Sequence, residues 1–192
     1  GKPIAGSLSS SSDIDLYALT IEAAGKVTIL FSTSTRDYTG WIFGLVDGSG
    51  KVLASRSCNP CSNAVSLSAG VGSAGTYYVR VISDSSFGKP DPSYTVTATY
   101  SAETGGVELE PNDETSSATT ATSGKPIAGS LSSSSDIDLY ALTVEAAGKV
   151  TILFSTSTSD YTGWIFGLVD ESGKVLASRS CNPCRNAVSL SA

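Results

Sequence analysis

"LYALTIEAAGKVTILF", residues 16–31, holds two runs in which apolar and polar side chains trade places at nearly every step. Tyr17, Leu19 and Ile21 fall on one side of the first run, and Val27, Ile29 and Phe31 on one side of the second. Period two marks a half-buried strand, because successive side chains of an extended chain point to opposite faces. The pattern continues outward. "WIFGLVD" (41–47) is a more continuous apolar run, and the "GSG" that separates it from "KVLAS" predicts a hairpin with a glycine-bearing turn. Tyr78 leads into Val79 and Val81, and "YTVTATY" (94–100) sets Tyr94, Val96, Ala98 and Tyr100 on one face. No stretch carries a convincing amphipathic helix. About eight short strands between Gly, Ser, Asp and Pro turns predict an all-β fold, a β-sandwich.

Beyond one such fold the chain repeats itself. Residues 1–69 return at 124–192 without a gap, differing only at Ile21/Val144, Arg36/Ser159, Gly48/Glu171 and Ser62/Arg185. A period of 123 residues is too long for a solenoid unit and suits a whole domain. The expected organisation is a first sandwich over 1–102, an acidic and then Ser/Thr-rich linker over 103–123, and a second sandwich over 124–192 that stops before its last strands. Two readings of that offset compete, a stretch of a longer array or strands donated by neighbouring chains. Each chain holds two copies of residues 1–69 and one of residues 70–123, so complete donation would leave half the units open, which favours the array.

Composition narrows the function. The net charge is −6 and no run of Lys or Arg occurs, which disfavours a nucleic-acid partner. No apolar stretch approaches a membrane span. The chain has no histidine, so Ser–His and Cys–His nucleophile systems cannot form within it. Charged residues make up only 16%, and a surface made polar by serine and threonine suits an exported protein.

"VELEPNDETSSATTATS" (107–123) is the one segment unlike the rest. Glu108, Glu110 and Asn112 alternate, and an extended segment would point all three to one side. With Asp113, and with Asp136 and Asp138 of the later "SDIDLY", they offer the hard oxygen donors that calcium takes in sets of six to eight. The bland reading is a solvated linker. The first copy keeps Asp13 and Asp15 at the positions of Asp136 and Asp138.

The E-x-E-x-N-D motif, the D-x-D-x-Y strand, "AGTYYVRV" and the closing Y-x-V-x-A together resemble the bacterial pre-peptidase C-terminal domain family. That family includes the collagen-binding domains of secreted clostridial collagenases. The resemblance implies a jelly-roll-like sandwich on a secreted bacterial protein. It also implies calcium held by Glu108, Glu110, Asn112, Asp113, Asp136 and Asp138, stiffening the linker. The family's collagen-binding surface is not recognisable in this sequence.

"CNPC" occurs at Cys58–Cys61 and again at Cys181–Cys184, joining two strand-like runs across a proline turn. Two cysteines and no histidine per domain do not make a zinc site, and local disulfides in an oxidising compartment are expected. Tyr38 and Trp41, with Tyr161 and Trp164, are either core aromatics or a ligand patch, with core the stronger reading. Thr115, Ser116, Ser117, Thr119, Thr120, Thr122 and Ser123 are candidate O-glycosylation sites, set against an unmodified flexible joint.

The expectation is a non-enzymatic extracellular structural protein, a stalk, adhesin shaft or filament of near-identical sandwiches with calcium-stiffened linkers. Its partners would be neighbouring copies of the repeat, the same protein in a filament, or a glycan or matrix ligand. The alternative is an accessory substrate-binding or maturation module of a secreted bacterial hydrolase.

Overall fold

The computed structural model describes residues 1–33, 40–59, 61, 63–84, 86, 93–102, 106–156, 163–182, 184 and 187–192. They form two compact units, 1–142 and 143–192. Tyr38 and Tyr161 lie outside the described residues.

In the first unit, eight strands run β1 (Ile4–Ser7), β2 (Ile14–Ile21), β3 (Gly25–Thr33), β4 (Gly40–Val46), β5 (Val52–Cys58), β6 (Val65–Val71), β7 (Gly75–Asp84) and β8 (Ser93–Ala102). They make two four-stranded antiparallel sheets, β1-β8-β3-β6 and β2-β7-β4-β5. That is the strand order of an eight-stranded jelly roll. Both alternating runs deliver their apolar members to the space between the sheets, where Ile21, Val27, Ile29 and Phe31 are buried. In β7 it is Tyr77, with Val79 and Val81, that turns inward, and Tyr78 stands on the opposite face.

An aromatic cluster fills the centre. The Phe31 ring stacks on Phe43 at a centroid distance of 4.8 Å and meets Trp41 at 5.5 Å and Tyr94 at 5.4 Å. Trp41 is therefore core, at 1% exposure. The expected hairpin joins β4 to β5. Its turn closes through Asp47 N to Lys51 O (2.9 Å), and Gly50 sits at φ +88°, where a side chain would be strained. Cys58–Cys61 and Cys181–Cys184 are both disulfides, each with a Cα–Cα distance of 5.3 Å.

The first unit does not stop where the sandwich sequence does. Beyond β8 it holds β9 (Gly106–Val107), a 3-10 turn at Thr115–Ser117, β10 (Thr119–Ala121), β11 (Ile127–Ala128) and β12 (Tyr140–Leu142). β9 pairs in parallel with β11, and β10 in parallel with β12. The unit boundary thus falls after Leu142 and not at 123/124, because two strand pairs tie the acidic segment to the opening residues of the second copy.

The second unit holds β13 (Thr151–Phe154), β14 (Trp164–Val169), β15 (Val175–Cys181) and β16 (Val188–Ser191), paired as β13–β16 and β14–β15. Register repeats that of the first copy: Trp164 faces Cys181 as Trp41 faces Cys58, and Phe154 faces Val188 as Phe31 faces Val65. Among the described residues no helix is long and apolar enough to cross a membrane.

Candidate metal centre

The acidic segment is pinned at its start by the sandwich before it. A Cβ on Gly70 of β6 would collide with the Glu108 carbonyl, and one on Gly72 with the Leu109 side chain, so two glycines let the segment lie flat against the strand end. Glu108 N donates to Ala128 O (3.1 Å) and Gly106 N to Pro126 O (3.1 Å), which makes the segment extended there. Extension carries the predicted alternation into space. Glu108, Glu110 and Asn112 are 1%, 7% and 0% exposed, whereas Leu109 between them faces solvent.

On the buried side the segment meets the start of the second copy. Glu108 accepts hydrogen bonds from the Ser130 amide, from Ser130 Oγ at 3.3 Å and from the Tyr140 hydroxyl at 2.9 Å. Tyr140 also reaches Asp138 Oδ2 at 3.4 Å. One carboxylate oxygen from each of Glu108, Glu110 and Asp138 lies within 4.8 Å of the others. Asn112 is fixed by its carbonyl, which accepts from Leu139 N (3.0 Å), and by its amide nitrogen, which donates to Thr119 Oγ1 (3.4 Å).

The remaining predicted ligands flank this cluster. Asp113 Oδ1 accepts from Ile137 N at 3.3 Å, and Asp136 Oδ2 accepts the Ser132 amide, closing the serine loop. Asp13 and Asp15 lie elsewhere, on the first copy. Asp13 Oδ2 takes Ser9 N at 2.6 Å and Asp15 Oδ2 takes the Tyr94 hydroxyl at 2.5 Å.

Two buried oxygens in the cluster, Glu110 Oε1 and Asp138 Oδ1, have no hydrogen-bond partner, and neither has Oδ1 of the buried Asn112. A buried acceptor without a donor costs about 1–3 kcal/mol, more if charged, so these oxygens mark a place for a cation, a proton or a bound water. Burial first, and then the nearby Asp138, pushes the Glu108 carboxyl up to about 8. Burial, and then the charges of Asp136 and Asp138, pushes Glu110 up to about 7. Asp138 is raised too, mainly by burial. Among the described residues, the groups that chiefly shift these three carboxyls include no lysine or arginine. Converging acidic oxygens in a buried cluster suit a hard divalent cation. An open groove lined by Leu53, Ser55, Pro111, Asp113, Ser133 and Asp136 leads to Glu110.

Sequence reasoning missed Ser130, Tyr140, Thr119 and Gly129. Tyr140 had a visible signal, standing two residues after Asp138 on the same strand face. Of the candidate glycosylation sites, Thr119 is buried with its hydroxyl accepting from Leu109 N (2.8 Å), which leaves no room for a sugar. The other six, Thr115, Ser116, Ser117, Thr120, Thr122 and Ser123, are exposed.

No family model matches the chain, and no curated protein matches it.

Proposed function

We propose that this chain is a non-enzymatic extracellular structural protein in which near-identical sandwiches are strung into a stalk, shaft or filament, and that calcium locks each acidic segment to the sandwich that follows it. The observation that carries this reading is the buried group of Glu108, Glu110 and Asp138 oxygens, with Glu110 Oε1 and Asp138 Oδ1, and Oδ1 of Asn112 next along the segment, lacking hydrogen-bond partners. Those four residues would hold the ion, with Asp113 and Asp136 completing the acidic field. Bound calcium supplies positive charge, cancelling the repulsion among carboxylates buried together. The chain's own residues do the rest. Ser130 and Tyr140 aim Glu108, and Thr119 holds Asn112 in place.

A linker fixed in this way transmits direction from one sandwich to the next, as a rod needs. Near-identity of the copies fits the same role, since length built by repetition takes interchangeable units. Calcium titration of the chain by calorimetry, with small-angle scattering in calcium and then in chelator, tests the proposal. A saturable site, and a narrower shape distribution with calcium, are expected. Heats and scattering curves indifferent to calcium would end the reading.

A further inference from the structure

Residues 4–19 and 127–142 have the same sequence, "IAGSLSSSSDIDLYAL", yet different things lie beside them. Along the second stretch, β9 runs parallel to β11 and β10 runs parallel to β12. Along the first, β1 pairs only with β8 and β2 only with β7 among the described residues, so each is the outer strand of its sheet.

The outward edges are the ones that the acidic segment uses on the second copy. The Ala98 carbonyl turns toward Gly1, so the pairs Ile4–Val96 and Gly6–Tyr94 carry the β1–β8 ladder. By alternation the Pro3 and Ala5 carbonyls point outward. Their counterparts Pro126 and Ala128 accept from Gly106 and Glu108. On the other sheet the Thr76 carbonyl turns toward Gly48, on the β4 side of β7. The ladder to β2 then runs through Asp15, Tyr17 and Leu19, leaving Leu16 outward. Its counterpart Leu139 donates to Asn112 O and accepts from Thr119 N. Apolar surface follows suit. Ile4 and Leu16 are 45% and 55% exposed, while Ile127 and Leu139 are half-buried.

We infer that the paired β1 and β2 edges of the first sandwich are a docking surface for an acidic segment with the sequence of residues 106–121, supplied by another copy of the repeat. The segment adds one parallel strand to each sheet, the strand-addition mode of recognition. Its Glu108 position would come up to Gly6 and Tyr17, where the Tyr94 hydroxyl already lies against the glycine and bonds Tyr17 (2.6 Å), so the docked carboxylate would join the Tyr17–Tyr94–Asp15 group there. The strand pairing rests on geometry alone; any calcium requirement rests on the function proposed above.

A labelled peptide of residues 106–123, titrated by anisotropy into the full chain in calcium and in chelator, tests this. The chain's own segment stays on its own copy because the tether holds it at high effective concentration. Saturable binding of one peptide per chain is expected. N-methylation of the peptide at Glu108 or Thr119, which removes a strand donor and leaves the protein untouched, is expected to cost about tenfold in affinity each. Leu16→Pro should do the same from the other side. Binding in both buffers supports the docking surface while counting against the calcium reading, and binding in calcium alone supports both. No binding in either buffer, or binding indifferent to the N-methyl groups, overturns the docking surface. Calorimetry of the peptide-free chain then still judges the calcium site separately.

Discussion

Gly129 lies against the Glu108 carboxyl: a Cβ built on it would run into Glu108 Oε2 and the Tyr140 hydroxyl. The close approach, and not turn geometry, is what this glycine provides. Gly129→Ala is therefore expected to displace Glu108 and lower calcium affinity at least about tenfold, roughly 1.4 kcal/mol. Calorimetric titration reads it, and unchanged far-UV circular dichroism would show that the sandwich itself survives.

Glu110→Gln should have opposite effects in two buffers. Without metal it removes one of several like charges acting in a buried cluster, so the melting temperature in chelator should rise. With calcium it removes a ligand, so the stabilisation by added metal should shrink. Thermal melts of both proteins in both buffers make the comparison. Equal shifts in the two buffers would show that Glu110 does not face an ion.

The same carboxyls set a pH dependence. Folding raises Glu108 from 4.5 to about 8 and Glu110 from 4.5 to about 7, so across that window the folded chain binds more protons than the unfolded one. Metal-free stability should then fall as pH rises through the window. Calcium affinity should climb over the same range, because the ion competes with those protons. Melts in chelator and calorimetric titrations at pH about 5 and about 8.5 check the two signs.

The core and the disulfides should differ in weight. Phe31 touches Phe43, Trp41 and Tyr94 and is fully buried, so Phe31→Ala should cost about 3–5 kcal/mol in a denaturant melt. Cys58→Ser with Cys61→Ser opens a loop closed over a separation of only 3 residues. Loop entropy gives no more than about 2 kcal/mol there, and the double variant should stay folded.

Strand character was legible because it is local. The alternation of Val27, Ile29 and Phe31 is the alternation of burial in β3, and the glycine between "WIFGLVD" and "KVLAS" does end at positive φ. The side to which Glu108, Glu110 and Asn112 point followed from the same period of two. What sequence did not carry was the partner of each backbone group. Thr119–Ala121 is three residues of threonine and alanine, and nothing in them says that they lie beside Tyr140–Leu142. Both readings of 115–123, a glycosylated stretch or a flexible joint, rest on composition, which is blind to pairing with a strand elsewhere in the chain. Ser130 and Gly129 escaped for a related reason, since their roles exist only once Glu108 arrives from more than twenty residues away.

The short ladder between Gly106–Val107 and Ile127–Ala128 has a mechanical consequence. Under tension along the backbone, load entering at Gly106 crosses to Ala128 through that ladder and bypasses the residues between. Those residues are a reserve of contour length, on the order of 60 Å when drawn out, shielded while the bonds hold. In a single-molecule pull, that length should come free only once this ladder and the bonds tying residues 112–121 to 139–142 have both given way, at a higher force when calcium is present.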